Sequence, residues 1–263
     1  DGDDPDWVEL WNRGSAPVDL SAWSLSDSLE EPVGLIFPSG TRLEPNERMV
    51  VFASRKDRAE RDSELHAPFS LSNDGEFLGL WSAEIPRLLV DSFAPEFPPQ
   101  RTDFSYGLSS GGVYGYFATP TPGEPNVHEV FQSFAPEPEF SVERGFYEEG
   151  FDLELSISGE HQIAYTLDGS DTREEGALIY SEPIAIAGSR ERGVVFVRAV
   201  GIDEAALPSS VVTHSYLFPE QILSQPAQPD GFPVRWGTQV ADYEPNPAIS
   251  GPQRATSASI RST

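Results

Sequence analysis

Apolar and polar positions alternate along most of the chain. The segment DWVELWN near the start places Val8 and Leu10 on one face and two tryptophans on the other, and the segment FDLELSI at 151–157 repeats the pattern. Successive side chains of a strand point to opposite faces, so this alternation predicts half-buried β-strands and almost no helix. Turn signals recur between the strands at the spacing expected of a β-sandwich.

The predicted strands fall into two groups. The first covers residues 1–127 and the second covers about residues 139–218, and the proline-containing segment 128–138 predicts a linker. Residues 219–263 contain seven prolines and few clustered apolar residues, so we expect a flexible C-terminal tail without a core of its own. The chain is therefore expected to be all-β, with two tandem antiparallel β-sandwiches.

Particular residues are predicted to form the cores and the turns. Asn73-Asp74-Gly75 separates two β-rich runs, and the positive φ that these residues tolerate predicts a tight hairpin turn. The residues expected to carry the two units are Val8, Leu10, Trp23, Phe52 and Gly75 in the first, and Leu153, Tyr165, Gly169, Val197 and Tyr216 in the second.

The composition excludes several functional classes. Acids outnumber bases by 43 to 17, which gives a formal net charge of -26. Such a surface repels phosphate backbones, so we expect no nucleic-acid partner. The absence of cysteine excludes disulfides, thiolate metal sites and cysteine nucleophiles, and the four scattered histidines give no zinc signature. No run of about 18 apolar residues occurs, so no membrane span is expected.

Five stretches of the first unit carry a family resemblance: DGDDPDWVELWN, VDLSAWSLSD, FPSGTRLEPNERMVVFAS, FSLSNDGEFLGL and PTPGEPN. Together they resemble a bacterial lamin tail domain over residues 1–127, which implies an immunoglobulin-like β-sandwich. The family's opening strand should precede the acidic turn at which this sequence starts, so the resemblance implies an exposed sheet edge. Leu108 stands where the family often has arginine, which removes an ion pair.

Four stretches of the second unit carry another resemblance: FSVERGFYEEGFDLELSI, IAYTLDGSDTREEGALIYSEPIAI, VFVRAVG and PSSVVTHSYLF. They resemble the non-catalytic, immunoglobulin-like β-sandwich at the C-terminal end of chitobiases and β-hexosaminidases, although Thr172 stands where that family usually has proline. The later segment PVRWGTQVADYE resembles exported bacterial proteins that continue into a spore-coat (CotH) kinase-like domain. Any signal peptide is expected to precede Asp1.

Two acidic segments suggest catalysis at first sight. Asp168 and Asp171 lie in one short loop, whereas a catalytic carboxylate pair needs a cleft that desolvates one member. Because this loop is a charged hairpin tip, we expect a wet turn, with contact to a cation or a sugar as the alternative. Asp203-Glu204 is similar to the acid pair of hexosaminidases, but that pair belongs to a barrel domain that this chain lacks. We therefore expect no catalytic residues and no enzyme activity.

Two groups of residues near the start are candidate ligand sites. Asp1, Asp3 and Asp4 have an oxygen-rich spacing that suits weak Ca²⁺ binding, with a solvated acidic turn as the alternative; no other cofactor is expected. Trp7 and Trp11 share the outer face of the first strand, where exposed indoles stack on sugars or pack against a partner. Alternatively, the family's opening strand, expected before this sequence, or the proline-rich arm at 93–99 covers them.

These observations predict a non-catalytic structural, adhesive or protein-interaction region of a larger secreted or cell-surface bacterial protein. The expected partners are other domains of the same protein, cell-surface proteins or glycans, and the expected location is extracellular or at the cell surface. The alternative function is a carbohydrate-binding accessory module that uses Trp7 and Trp11.

Overall fold

The chain is described from a computed structural model that covers residues 5–60, 63–187, 193–222, 228, 232–241 and 243. These residues are nearly all β, and most strand pairs are antiparallel, which confirms the predicted all-β class of immunoglobulin-like sandwiches. The chain divides into two units, Asp1–Gln132 and Ser133–Thr263.

The described strands of the first unit are short. They are β1 (Asp6–Trp11), β2 (Val18–Asp19), β3 (Ser24–Ser26), β4 (Leu35–Ile36), β5 (Arg42–Leu43), β6 (Arg48–Ala53), β7 (Leu65–Ala67), β8 (Leu78–Trp81), β9 (Leu89–Phe93), β10 (Ser105–Leu108) and β11 (Tyr114–Phe117).

Two sheets enclose the core of the first unit. One has the strand order β1-β6-β7, in which β6 and β7 are parallel, and the other has the order β4-β3-β8-β9. Val8, Val51 and Leu65 lie in one row across the first sheet and are buried in the same cluster as Leu25 and Leu35 of the second sheet. The predicted core residues that are buried in this cluster or pack against it are Val8, Leu10 and Trp23.

Phe52, which we predicted in the core, lies on the opposite face of its sheet. Its neighbours Val51 and Ala53 are buried in the core, and successive residues of a strand alternate between faces. Phe52 is half-buried and stacks on the imidazole of His66, with 5.2 Å between the ring centroids. The prediction is wrong because the run MVVFA is apolar on both faces, which hides the alternation.

Asn73-Asp74-Gly75 forms a turn but not the predicted hairpin. Gly75 has a φ of 95°, yet the following strand β8 pairs with β3 and β9 instead of with the run before the turn. The segment after β9 packs against the turn, and its Phe97 N–H donates to the Glu76 carbonyl at 2.9 Å. A Cβ on Gly75 would lie 2.2 Å from the Phe97 carbonyl oxygen. Glycine is therefore required both by φ and by the close approach of this segment.

The edges of the two sheets differ. β1 pairs with β6 over six consecutive residues and has no second partner among the described strands, as expected from the family resemblance. β9 pairs with β8, and the register shifts at Leu80/Trp81 so that Val90 is skipped. Such a bulge hinders an edge strand from pairing with another chain.

The described elements of the second unit are again mostly short strands. They are β12 (Glu139–Phe140), β13 (Gly145–Phe146), β14 (Phe151–Leu153), β15 (Leu155–Ser156), β16 (Gln162–Thr166), β17 (Leu178–Ile179), β18 (Ile184–Ile186), β19 (Val194–Ile202), β20 (Val212–Leu217), α1 (Pro219–Ile222), β21 (Arg235–Trp236) and β22 (Gln239–Val240).

A five-stranded sheet of order β13-β20-β19-β16-β17 forms one layer of the second unit, with β13 and β20 parallel. The pair β14-β18 contributes Leu153 to the same buried cluster as Val197 and Tyr216 of the large sheet, and Tyr165 packs against it. The Tyr216 hydroxyl donates to the Val142 carbonyl at 2.8 Å. These four core predictions are confirmed.

The segment 128–138, predicted as a linker, is hydrogen-bonded on both sides of the division after Gln132. Phe131 and Tyr116 exchange two backbone hydrogen bonds in the first unit. In the second unit the Ala135 N–H donates to the Leu207 carbonyl at 2.7 Å. Each half of the segment is therefore tied to its own unit.

The predicted tail, 219–263, lies largely outside the described residues. Where it is described, α1 follows β20 directly, and β21 and β22 pair as a short hairpin. Ala241, just after this hairpin, is buried. No helix among the described residues is long and apolar enough to cross a membrane.

Candidate functional site

An aromatic row crosses the outer face of the sheet β1-β6-β7. The register aligns Trp7, Phe52 and His66, which form this aromatic row. Trp7 is half-buried, and His66 is buried with its Nδ1 2.9 Å from the Ser54 hydroxyl. Burial lowers the pKa of His66, so the imidazole is neutral at physiological pH. The row is an uncharged strip in a strongly acidic chain.

Trp11 does not join this row as an open platform. Its Nε1–H donates to Asn46 Oδ1 at 3.1 Å. The Arg48 guanidinium carbon lies 4.2 Å from the Trp11 ring centroid, and that of Arg13 lies at 5.6 Å. Both the polar edge and the ring of Trp11 therefore have partners within the chain.

Glu9 separates the two tryptophans on the same face. Its Oε1 lies 3.4 Å from Arg48 Nε, and the side chains of Glu9 and Arg48 are only 13% and 5% exposed. Its Oε2 accepts a hydrogen bond from the Gly123 N–H at 2.8 Å, so the PTPG turn lies over this part of the face. Burial raises the pKa of Glu9, and the Gly123 N–H and Arg48 oppose that shift.

The candidate calcium ligands Asp1, Asp3 and Asp4 lie outside the described residues. The next acid, Asp6, is exposed at the start of β1, and partial burial raises the pKa of its carboxyl. Within the described parts of the chain, no three histidine or acidic side chains are grouped so that they could hold a metal ion.

The DGSD loop forms the predicted turn. Asp168 Oδ1 accepts from the Ser170 N–H at 3.0 Å, and Gly169 has a φ of 82°. Asp171 accepts from the Arg173 backbone and guanidinium, and these hydrogen bonds lower the pKa of Asp171 to about 2. Asp171 is therefore an ionised part of a turn, without the raised pKa of a general acid.

Asp203 has a partner that the sequence did not indicate. His161 Nδ1 lies 3.0 Å from Asp203 Oδ2, although 42 residues separate the two in sequence. The other carboxylate oxygen of Asp203 accepts from the Ala205 N–H at 2.6 Å. The His161–Asp203 contact joins the start of β16 to the loop after β19. The two residues are neighbours because β16 and β19 pair in the sheet.

A tyrosine face that sequence reasoning missed covers one side of the hairpin β10-β11. Its register places Tyr106, Leu108, Tyr114 and Tyr116 on that side. Phe93 of β9 packs against it, with ring centroids 6.0 Å from Tyr106 and 5.9 Å from Tyr114. Tyr114 is 45% exposed. The alternation in SYGL and VYGYF carries the signal that could have found this face.

A second unpredicted surface lies on the outer face of β4-β3-β8-β9. Ile36, Ser24, Trp81 and Leu89 align across the four strands and form the Trp81 row. Trp81 is 8% exposed and its Nε1 has no hydrogen-bond partner among the described residues. Ile36 and Leu89, at the two ends, are 45% and 40% exposed. Periodicity could not reveal this row, because β4 has only two residues.

Two family models match the chain, one in each unit. The model described as Lamin Tail Domain matches residues 1–91, and the model described as Fn3 associated matches residues 153–216. Neither the curated proteins nor the solved structures give a match. The first match confirms the lamin-tail resemblance over residues 1–91, and the second gives an Fn3-associated region where we expected a chitobiase-type module. Residues 1–91 are therefore similar to lamin tail domains and residues 153–216 to Fn3-associated domains, and both are non-catalytic domain types.

Proposed function

We propose that this chain is a structural or adhesive protein-interaction region of a larger secreted or cell-surface bacterial protein. The observation that carries the proposal is the Trp81 row, which presents the exposed aliphatic side chains of Ile36 and Leu89 at its two ends. Surfaces of this kind are typical of contact sites between proteins.

The rest of the described chain supports the same function. The carboxylates that suggested catalysis, Asp168, Asp171 and Asp203, are each held by a turn or by one neighbouring side chain. The domain types are non-catalytic, and we propose that the second unit serves, like a chitobiase-type module, as an accessory to a larger protein that continues into a spore-coat-kinase-like domain. The chain would then position or attach its neighbours.

Adhesion of the purified chain to bacterial envelopes tests this function. Microspheres coated with the chain are mixed with isolated envelopes of the parent bacterium, before and after protease treatment. The expected result is retention that protease removes and that microspheres coated with unfolded chain do not show. Retention no greater than that of the unfolded control would contradict the proposal.

The second candidate function is carbohydrate binding, and the aromatic row favours it. Trp7 and Phe52 are half-buried neighbours on one face, whereas Trp11 is occupied by Arg48. Titration of the unaltered chain with chito-oligosaccharides to millimolar concentration should change the indole fluorescence. The same titration of Trp7→Ala should show no such change. The matched control is Trp236→Ala, an exposed indole of the second unit. No fluorescence change in the unaltered chain would remove this candidate.

A further inference from the structure

Exposed aliphatic side chains also occur in the two loops that connect strands of the Trp81 row. Leu29 and Val33 lie in the loop between β3 and β4, Ile85 and Leu88 lie in the loop between β8 and β9, and all four are more than half exposed. Single exposed apolar side chains are ordinary on proteins, but a contiguous group marks an interaction site. Each loop connects two of the strands that the row crosses.

Hydrogen bonds hold both loops beside the row. The Ser24 hydroxyl donates to the Pro32 carbonyl, and the Ser26 hydroxyl donates to the Glu31 carbonyl at 2.7 Å. On the other side, Arg87 Nη1 donates to the carbonyls of Ala22 and Ser82 at 2.9 and 2.7 Å. The exposed aliphatic side chains are therefore carried by anchored backbone, which reduces the ordering that binding would require.

The indole of Trp81 lies beneath this surface and carries a donor that is unpaired among the described residues. Its N–H is buried without an acceptor in the middle of a row whose two ends are open. Buried donors are almost always paired in folded proteins. Because this N–H is closed to solvent, an oxygen of a bound partner reaches it only if the side chains that cover it move.

Acidic residues predominate in the two segments that carry this surface. In segments 27–36 and 82–91 the only base is Arg87, and its guanidinium is bound to backbone carbonyls. The exposed acids of the same two segments are Glu30, Glu31, Glu84 and Asp91. An apolar centre with an acidic rim matches a partner that presents aliphatic side chains flanked by lysine or arginine.

We propose that the Trp81 row and its two loops are the docking surface for a basic amphipathic segment of a protein partner. The inference rests on the proposed interaction function and names its surface and its partner chemistry. A second copy of this chain fits poorly, since both copies carry a net charge of -26. Anionic membranes are repelled for the same reason.

The test uses an amphipathic peptide of leucine and lysine, with the equivalent leucine–glutamate peptide beside it. Binding to the full chain labelled with ¹⁵N is followed through the indole N–H signals, and Trp81→Phe identifies the signal of Trp81. The lysine peptide is expected to bind and to move that signal, and the glutamate peptide is expected not to bind. Ile36→Ser and Leu89→Ser are each expected to weaken binding about tenfold.

Matched variants separate this surface from general stickiness. Val113→Ser removes a slightly more exposed aliphatic side chain elsewhere in the first unit and is expected to leave the affinity unchanged. Glu84→Lys is expected to weaken binding at low salt, whereas Glu160→Lys, an identical charge change in the second unit, is expected to have a much smaller effect. Backbone amide spectra confirm that each variant is folded.

Several results would overturn the proposal. They are no binding of the lysine peptide, equal binding of the glutamate peptide, equal effects of Leu89→Ser and Val113→Ser, self-association through this surface in sedimentation experiments, and binding to anionic vesicles that Leu89→Ser abolishes. If microspheres coated with the Ile36→Ser/Leu89→Ser variant still adhere to envelopes like the unaltered chain, the interaction function stands and only this surface is wrong. If neither form adheres, the proposed function itself fails.

Discussion

Replacing Arg48 by methionine tests how the first sheet is held together. The side chain of Arg48 is 5% exposed, lies over the Trp11 ring at 4.2 Å and has its Nε 3.4 Å from Glu9 Oε1. Methionine keeps most of the apolar stem but removes the charge. Arg48→Met therefore leaves the Glu9 carboxylate buried with the Gly123 N–H as its remaining described partner.

The expected cost follows from these contacts. Breaking a buried ion pair by removing one member costs about 3–5 kcal/mol, and a desolvated cation–π contact contributes up to about 2 kcal/mol. The Arg48–Glu9 distance is long for a strong ion pair, and protonation of Glu9 would remove its buried charge. Both effects reduce the cost of the substitution. We therefore expect Arg48→Met to destabilise the first unit by about 3 kcal/mol at pH 7.

Arg48→Met should also change how the stability of the first unit depends on pH. The pKa of Glu9 is already raised above 4.5 by burial, so ionisation of Glu9 disfavours the folded state. Removing Arg48 takes away an opposing charge and raises that pKa further. The cost of ionising Glu9 in the folded state is absent below pH 4.5 and grows as the pH rises through the folded pKa. The stability of the variant should therefore approach that of the unaltered chain as the pH falls.

Urea denaturation of the full chain between pH 4.5 and 7 measures these differences, with the transition of the first unit followed by its tryptophans. Arg42→Met is the matched control, because the Arg42–Glu44 pair is exposed and should contribute less than about 1 kcal/mol. Glu9→Gln combined with Arg48→Met should remove the pH-dependent part of the destabilisation, because no carboxylate is left at this position. A cost equal to that of Arg42→Met, or a cost that does not change with pH, would refute the reasoning.

Three further predictions concern turns and a buried hydroxyl. Gly75→Ala should cost about 2 kcal/mol or more in urea denaturation, because the new Cβ meets a carbonyl, whereas Gly112→Ala, with a φ of 80° but open space around it, should cost about 1 kcal/mol; equal costs would contradict the close approach. Thr172→Val should raise the stability of the second unit by about 1 kcal/mol, because the buried Thr172 hydroxyl has no partner among the described residues; a loss in the same assay would show that the hydroxyl is bonded. Arg173→Met should return the pKa of Asp171 from about 2 towards 3.8 in an NMR titration and remove stability that is present above pH 3.8 and lost as the pH falls towards 2; an unchanged pKa would contradict the turn.

The strands were predictable wherever one face is apolar and the other is polar. DWVELWN gave the correct inward residues Val8 and Leu10, and FDLELSI gave Leu153. Phe52 was assigned to the wrong face because MVVFA is apolar throughout, and periodicity carries no information in such a run. Local composition also identified Gly75 as a turn residue but not the segment that packs on it, since that contact is made with residues beyond β9.

The surfaces were less predictable than the fold. The Trp81 row crosses four strands in the order β4-β3-β8-β9, and the sequence does not state which strands are neighbours. The pairing of His161 with Asp203 has the same origin, because it depends on β16 lying beside β19. The DGSD turn was predicted correctly, since its hydrogen bonds join residues only two positions apart.

The affinity of the chain for the leucine–lysine peptide, measured at increasing salt, tests most directly whether this protein acts through a surface with an apolar centre and an acidic rim. We expect the affinity to fall as salt screens the rim and then to level off at a residual apolar component, which Ile36→Ser/Leu89→Ser removes. An affinity that does not respond to salt, or one that both substitutions leave unchanged, would contradict the account.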